Sequence, residues 1–385
     1  MTSALLRSIL TPSAILQFII GWAAVVFFRL GSTFFQPPQK TVALVIILVA
    51  IVAVIICAAF GVVTQAEHLA RRLGDPYGTL ILTMSIVMIE VILIAAVMLG
   101  PGEHPTIARD SVMAVSMIIL NLVVGLALIV GGLRHAKLRV NRTGVGAYLG
   151  ILLPLLTVGL VLPAFIGDDG QYSVGQAIPI VAMTILVYGL FLYFQTGRQR
   201  TDFQEPTVSA NLDPAERGTV TTEQRSSIGQ ILRVHRSEIL ARTLLLVATV
   251  LPIVLLSHDM ATYLDTLLDR AGAPVALSGI VIATIVFLPE TVTTVRAAAA
   301  GEMQRVSNLC HGALVSTVGL TIPVVLIIGM VTGQSVILGE SPAHMILLAV
   351  SLLLTFASFL GGRATAVHGM AHLMIFSVYI LTLMS

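Results

Sequence analysis

Charge is scarce in this chain. Only 10% of its 385 residues are Asp, Glu, Lys or Arg, while 57% are hydrophobic. Soluble domains usually carry about 25% charged residues. So apolar a chain cannot build a water-facing coat, and lipid is the solvent that remains. Cysteine is scarce too. Cys57 and Cys310 sit in or beside apolar runs without a CxxC spacing, which excludes a disulfide framework and a cysteine metal site. There is no P-loop, so ATP is not the energy source. There is no HExxH, no GxSxG and no basic run of the kind that grips nucleic acid.

Long apolar runs are what the chain has in quantity. Eleven are long enough to cross roughly 30 Å of hydrocarbon as helices. They run over 10–30, 41–64, 78–100, 111–132, 144–166, 174–195, 239–258, 275–296, 309–331, 343–360 and 365–384. The first is read as a retained span and not as a signal peptide. Of the basic residues, seventeen fall in even-numbered loops counted from the N-terminus; only Arg29, Lys40, Arg109 and Arg270 fall in odd ones. The positive-inside rule then places the N-terminus in the cytoplasm and, with eleven spans, the C-terminus outside. The net charge of +2 adds little to this, because the placement of charge decides it. One long polar stretch, 196–238, is expected to be a partly disordered cytoplasmic linker that tethers two halves.

The halves repeat. Glu67-His68-Leu69-Ala70-Arg71-Arg72-Leu73-Gly74-Asp75-Pro76 parallels Asp265-Thr266-Leu267-Leu268-Asp269-Arg270-Ala271-Gly272-Ala273-Pro274. Each stretch leads into an apolar helix with a single glutamate, Glu90 or Glu290, and then a helix rich in small and hydroxyl residues. The expected fold is all-α and polytopic. An extra helix occupies 1–40, a first five-helix repeat 41–195, the linker 196–238 and a second repeat 239–385. Five is odd, so the second repeat enters the membrane from the opposite side. Inverted repeats of this kind mark transporters that alternate access around a midplane site.

A carboxylate deep in a span costs a few kcal/mol, about 2.5–3.5 for Asp on the insertion scale. The inner spans offer no evident basic partner, so a mobile cation or a proton is the expected one. Two acids at matching repeat positions can converge on one site. With a metal cation bound, both carry charge; without it, protons neutralise them. Cation and proton then compete for the same oxygens, which is exchange chemistry. Candidate secondary ligands or pathway groups are Asn121, Thr83, Ser85, Ser116, Thr284, Thr291, Ser316, Thr317 and Thr321, each of which alone is more often a helix-packing group. Pro289 frees a backbone carbonyl one turn back from Glu290. Glu67, His68 and Asp265 are candidate gate or relay groups. Asp110, His311, Glu340 and His344 read as span-end residues. The i, i+4 pair His368 and His372 reads as helix packing.

Gln65–Gly74, Thr79–Glu90, Ala108–Val112 with Leu120-Asn121, Phe287–Glu290 and Gly312–Pro323 together resemble the calcium/cation antiporter superfamily, most closely its bacterial Cha-type branch of calcium/proton and sodium–potassium/proton antiporters. The resemblance implies an eleven-helix fold and exchange of a metal cation for protons, with Glu90 and Glu290 as the binding acids. It implies no resident cofactor. The cargo is Ca²⁺ or Na⁺/K⁺ against H⁺, and no nucleic acid is a partner. Many members carry Gly-Asn-Ala/Pro-x-Glu around each acid, whereas here Ile86-Val87-Met88-Ile89-Glu90 and Val286-Phe287-Leu288-Pro289-Glu290 lack the glycine and the asparagine. Calcium prefers six to eight oxygens, so the missing amides leave sodium or potassium open. The alternative reading is an intramembrane enzyme acting on a lipid-linked substrate, which would need polar or cationic headgroup contacts near the acids.

Overall fold

In lipid, backbone N–H and C=O groups must be satisfied internally, and a helix does this within one segment. A computed structural model of the chain describes residues 9–30, 40–73, 77–99, 105–135, 138–206, 236–272, 276–361 and 364–384. Among these residues the apolar runs are helices and no strand forms; the only β-type pairings are isolated bridges such as Leu138 with Ala364. The helices are α1 (Pro12–Leu30), α2 (Thr41–Leu73), α3 (Tyr77–Met98), α4 (Ile107–Arg134), α5 (Arg142–Ile166) and α6 (Val174–Thr196), then α7 (Arg236–Ala271), α8 (Ala276–Ala300), α9 (Met303–Thr332), α10 (Pro342–Leu360) and α11 (Ala366–Leu383). Eight of them are long and apolar enough to cross a membrane by length and composition, and Pro12–Phe28 is a shorter apolar helix.

Local chemistry sets the ends. Asn141 caps α5 by accepting from Thr143 N, Ser173 and Gln176 form a capping box at α6, and Ser341 caps α10 just before Pro342. Gly333, at φ +72°, closes α9 in the left-handed conformation that glycine adopts without strain. α4 contains a π-turn over Ile118–Val123, and α5 contains one over Thr157–Val161, just after Pro154. Such turns insert one extra residue and re-aim the side chains around them.

α2 and α7 run far past the expected 41–64 and 239–258 and lie antiparallel along each other. Gln65 meets Arg242 at one end (3.0 Å), and Thr41 meets Arg270 at the other (3.5 Å). α3 packs on α9, and α8 on α4. α6 packs on α9, and α11 on α4. α5 packs on α9, and α10 on α4. Exchanging α2–α6 with α7–α11 maps this set of contacts onto itself. α4 and α9 are the most enclosed of the crossing helices. Glycines allow the closest approach, where a Cβ on Gly369 would stand 2.6 Å from the carbonyl oxygen of Gly125.

The first residues after α6 are not a free tether. Phe203 is buried, with its ring 5.1 Å from Tyr148 and 6.0 Å from Phe191. Asn308 Nδ2 donates to its carbonyl (2.7 Å), and Glu205 accepts from Arg305 N in the first turn of α9 (2.9 Å). An aromatic residue inside a polar stretch was the available signal for this anchor. The expected disorder of the linker concerns 207–235, which lies outside the described residues.

Candidate cation site

Glu90 lies thirteen residues past Tyr77 in α3, about 20 Å along the axis. Glu290 lies fourteen residues past Ala276 in α8, about 21 Å along. Both stand just past the middle of their helices, and they are 6% and 4% exposed. Their helices, α3 and α8, are in contact with each other. Thr317 Oγ1 on α9 donates to Glu90 Oε2 at 2.8 Å. Glu90 Oε1 and both oxygens of Glu290 are buried and have no hydrogen-bond partner. Among the described residues no basic side chain pairs with either acid. Buried carboxylate oxygens without donors are costly as they stand, and their chemistry fits a cationic cargo or a proton.

The other candidates fall into distinct environments. Thr321, one turn past Thr317, is fully buried with an unpartnered hydroxyl. Ser85, Ser116, Thr284 and Thr291 donate to carbonyls of their own helices, at Ile81, Val112, Ile280 and Phe287. Their oxygens keep lone pairs, but the protons are committed locally. The side chain of Thr83 lies outside those described. Ser316 accepts from Tyr188 on α6 at 3.1 Å, and the same hydroxyl lies 3.0 Å from Met84 Sδ on α3.

Asn121, in the π-turn of α4, is engaged elsewhere. Its Nδ2 donates to Ser351 (2.8 Å) and its Oδ1 meets His372 Nδ1 (3.3 Å); His372 Nε2 meets Ser358 (3.1 Å). This buried network ties α4 to α10 and α11, and His372 takes part in it. His368 bonds Thr365 instead (2.8 Å).

Glu67 lines a cavity of about 200 Å³ with Thr293, Arg296, Ala297, Ala300 and the turn holding Glu302 and Arg305. Thr293 stands three residues beyond Glu290 and reaches Glu67 Oε1 at 3.5 Å. The cavity therefore lies at the arginine-rich end of α8, on the helix that carries Glu290. His68 is half-buried beside Glu67 on α2, and Asp265 is half-buried near the far end of α7.

Several polar residues escaped the sequence reading. Arg242 is only 4% exposed and pairs with Glu238 (3.2 Å) and Gln65 (3.0 Å). It stands four residues into the expected 239–258 span, where a basic residue reads as a solvated span end. Tyr188 is a brace that no motif announces. Ser257 on α7 is also buried with an unpartnered hydroxyl, and His311, expected at a span end, is instead fully buried in α9, with Nδ1 on Ser307 (2.9 Å) and Nε2 unpartnered. Glu340 is no plain span-end residue. It is 5% exposed and bonds His344 at 2.9 Å, and its other oxygen is unpartnered.

The sequence pattern of the family described as "Sodium/calcium exchanger protein" matches residues 43–197 and 242–385. The sodium-potassium/proton antiporter ChaA of Escherichia coli (strain K12) is 33% identical over 362 residues, which is 94% of this chain and 93% of that protein. The putative ionic transporter y4hA of Sinorhizobium fredii (strain NBRC 101917 / NGR234) is 35% identical over 84% of each chain. Among solved structures, native YfkE superposes with a TM-score of 0.68 at 18% identity, covering 96% of this chain and 99% of that one. The H⁺/Ca²⁺ exchanger CAX superposes with 0.64 at 13% identity, covering 96% and 89%.

Proposed function

The chain belongs to the sodium/calcium exchanger protein family and is a multi-pass cation exchange transporter, not an enzyme; on that premise we propose that it trades a metal cation for protons at Glu90 and Glu290 by alternating access. The observation that carries this reading is the pair itself. Two buried carboxylates stand midway along α3 and α8, helices in contact with each other, and three of their four oxygens have no partner. A cation would satisfy those oxygens with both groups charged, and protons would satisfy them with both neutral. Each occupant displaces the other.

Alternation is supported by the two halves. The family pattern falls on each of them, and their helix contacts exchange onto one another. Pseudo-symmetric halves allow two states of similar energy, with the site exposed first to one side and then to the other. The cavity at Glu67 and Thr293 is the access from the arginine-rich side. The surplus of basic residues on that side supports the cytoplasmic face of a bacterial inner membrane, with the N-terminus inside.

The donor set favours sodium or potassium over calcium. Three carboxylate oxygens are open, together with the hydroxyls of Thr294, one turn past Glu290, and Thr321, one turn past Thr317; neither repeat adds the amide oxygens that would help reach the six to eight calcium takes. Three residues before each acid stand buried Val87 and Phe287, which supply no oxygen. The test is flux in everted vesicles with an imposed pH gradient, adding Na⁺, K⁺ and Ca²⁺ singly. Proton movement driven by Na⁺ or K⁺ supports the reading; proton movement driven by calcium alone overturns the selectivity, and none with any cation overturns the exchange.

A further inference from the structure

Glu90 and Glu290 stand 200 residues apart, and at the same offset Val115-Ser116-Met117 matches Val315-Ser316-Thr317. Their surroundings nevertheless differ in four ways. First, Thr317 donates to Glu90 at 2.8 Å, whereas both oxygens of Glu290 are unpartnered. Met117, the counterpart of Thr317, has no hydroxyl to give, and its sulfur is engaged by Asn121 (3.5 Å) and Ser351 (3.8 Å). Second, the Thr317 turn is braced, because Tyr188 holds the adjacent Ser316 and touches Met84 on the glutamate helix α3. Third, α3 has no proline, while Pro289 directly precedes Glu290 in α8. A proline has no N–H to give the carbonyl four residues back, so the helix is loosened at that point. Fourth, the helix of Glu290 carries Thr293, which reaches Glu67 at the lining of a cavity.

We infer that the two acids divide the work: Glu90 is a fixed ligand oriented by Thr317, and Glu290 is the carboxylate that turns to collect cation or proton from the arginine-rich side. This rests on the reading of the pair as the exchange site. A hydrogen bond to a charged acceptor fixes the plane and direction of a carboxylate. A carboxylate without one, on a loosened helix, is free to reorient between a vestibule and its partner. Thr317 is then a positioning residue that acts through Glu90.

The test uses the full-length protein in proteoliposomes, reading cation-driven proton flux. Thr317→Val is compared with Thr317→Ser, and Glu90→Asp with Glu290→Asp. Losing a hydrogen bond to a charged group should raise the apparent KM of Thr317→Val roughly tenfold or more, with kcat changed much less. Thr317→Ser keeps the hydroxyl and should return KM to near the unmodified value. Glu90→Asp withdraws the carboxyl from Thr317 and should lose at least about tenfold more kcat/KM than Glu290→Asp, which keeps room to adjust. An unchanged KM in Thr317→Val, or damage from Glu290→Asp equal to or greater than that from Glu90→Asp, overturns the division of labour. If Thr317→Val does not fold, the aspartate pair decides the matter. If the unmodified protein moves no protons with any cation, the exchange reading has failed, and the asymmetry falls with it.

Discussion

Gly319→Ala perturbs the brace beside the site without touching either acid. A Cβ at 319 would stand 2.9 Å from both Cγ and Cδ2 of Tyr188 and 3.2 Å from its Cβ. These atoms are at the root of the ring, so the side chain cannot yield by swinging its tip. Carbon atoms prefer about 3.5–4.0 Å, so the ring must retreat by roughly 0.6–1 Å. Overpacking of this kind costs about 1–3 kcal/mol. The retreat also stretches the 3.1 Å bond from Tyr188 to Ser316 beyond useful length, a loss of about 1 kcal/mol. Alanine's better helix propensity returns about 1 kcal/mol, leaving a net loss of about 1–3 kcal/mol. The expected result is a Tm lower by a few degrees in detergent. Because the brace adjoins Thr317 and Glu90, the apparent KM for the cation should also rise several-fold. Adding Tyr188→Ala to Gly319→Ala removes the clash but not the need for the brace, so KM should stay high. Gly319→Ala with unchanged Tm and KM, or a double variant with restored KM, would refute the brace.

Other expectations follow from the same geometry. Arg242→Met alone leaves Glu238 buried without its charge partner and should lower stability by about 3 kcal/mol or more, while Glu238→Leu with Arg242→Met should recover most of it; thermal unfolding in detergent reads both. Phe203→Ala should cost about 3–5 kcal/mol and make the 197–206 segment a site of proteolytic nicking, with fragment masses as the readout. Glu67→Gln should raise the apparent cation KM in everted vesicles, which present the arginine-rich face, and leave it unchanged in right-side-out vesicles. Because protons and cation compete for the same oxygens, acidification on the cation side should raise the apparent cation KM, while an unchanged KM would indicate separate sites.

Much of the fold was legible in the sequence because the membrane imposes simple rules. Apolar length marked the helices, and single acids within apolar runs marked Glu90 and Glu290. The lengths of α2 and α7 were not legible, because polar residues near their ends, Gln65 and Arg242 among them, pack against the partner helix. Arg242 was hidden for the same reason, since a polar residue at a span end looks solvated until a second helix covers it. Asn121 is an amide deep in a span and needed a partner. Sequence gave no sign that a π-turn directs it to Ser351 and His372. Within the run of hydroxyls, position alone could not separate Thr317, which reaches Glu90, from Ser116, which bonds its own helix. Tyr188 is an ordinary aromatic on a lipid-facing helix until Gly319 is seen to receive its ring.

The most direct test of the exchange site is proton flux through purified protein in sealed proteoliposomes, comparing the unmodified chain with Glu90→Gln and Glu290→Gln. Glutamine keeps the shape of each side chain and removes its ability to carry charge or release a proton. Cation-dependent proton movement in the unmodified protein, abolished in both variants while each remains folded, is the predicted result. Normal coupled flux in either variant would contradict the assignment of the paired glutamates as the exchange site.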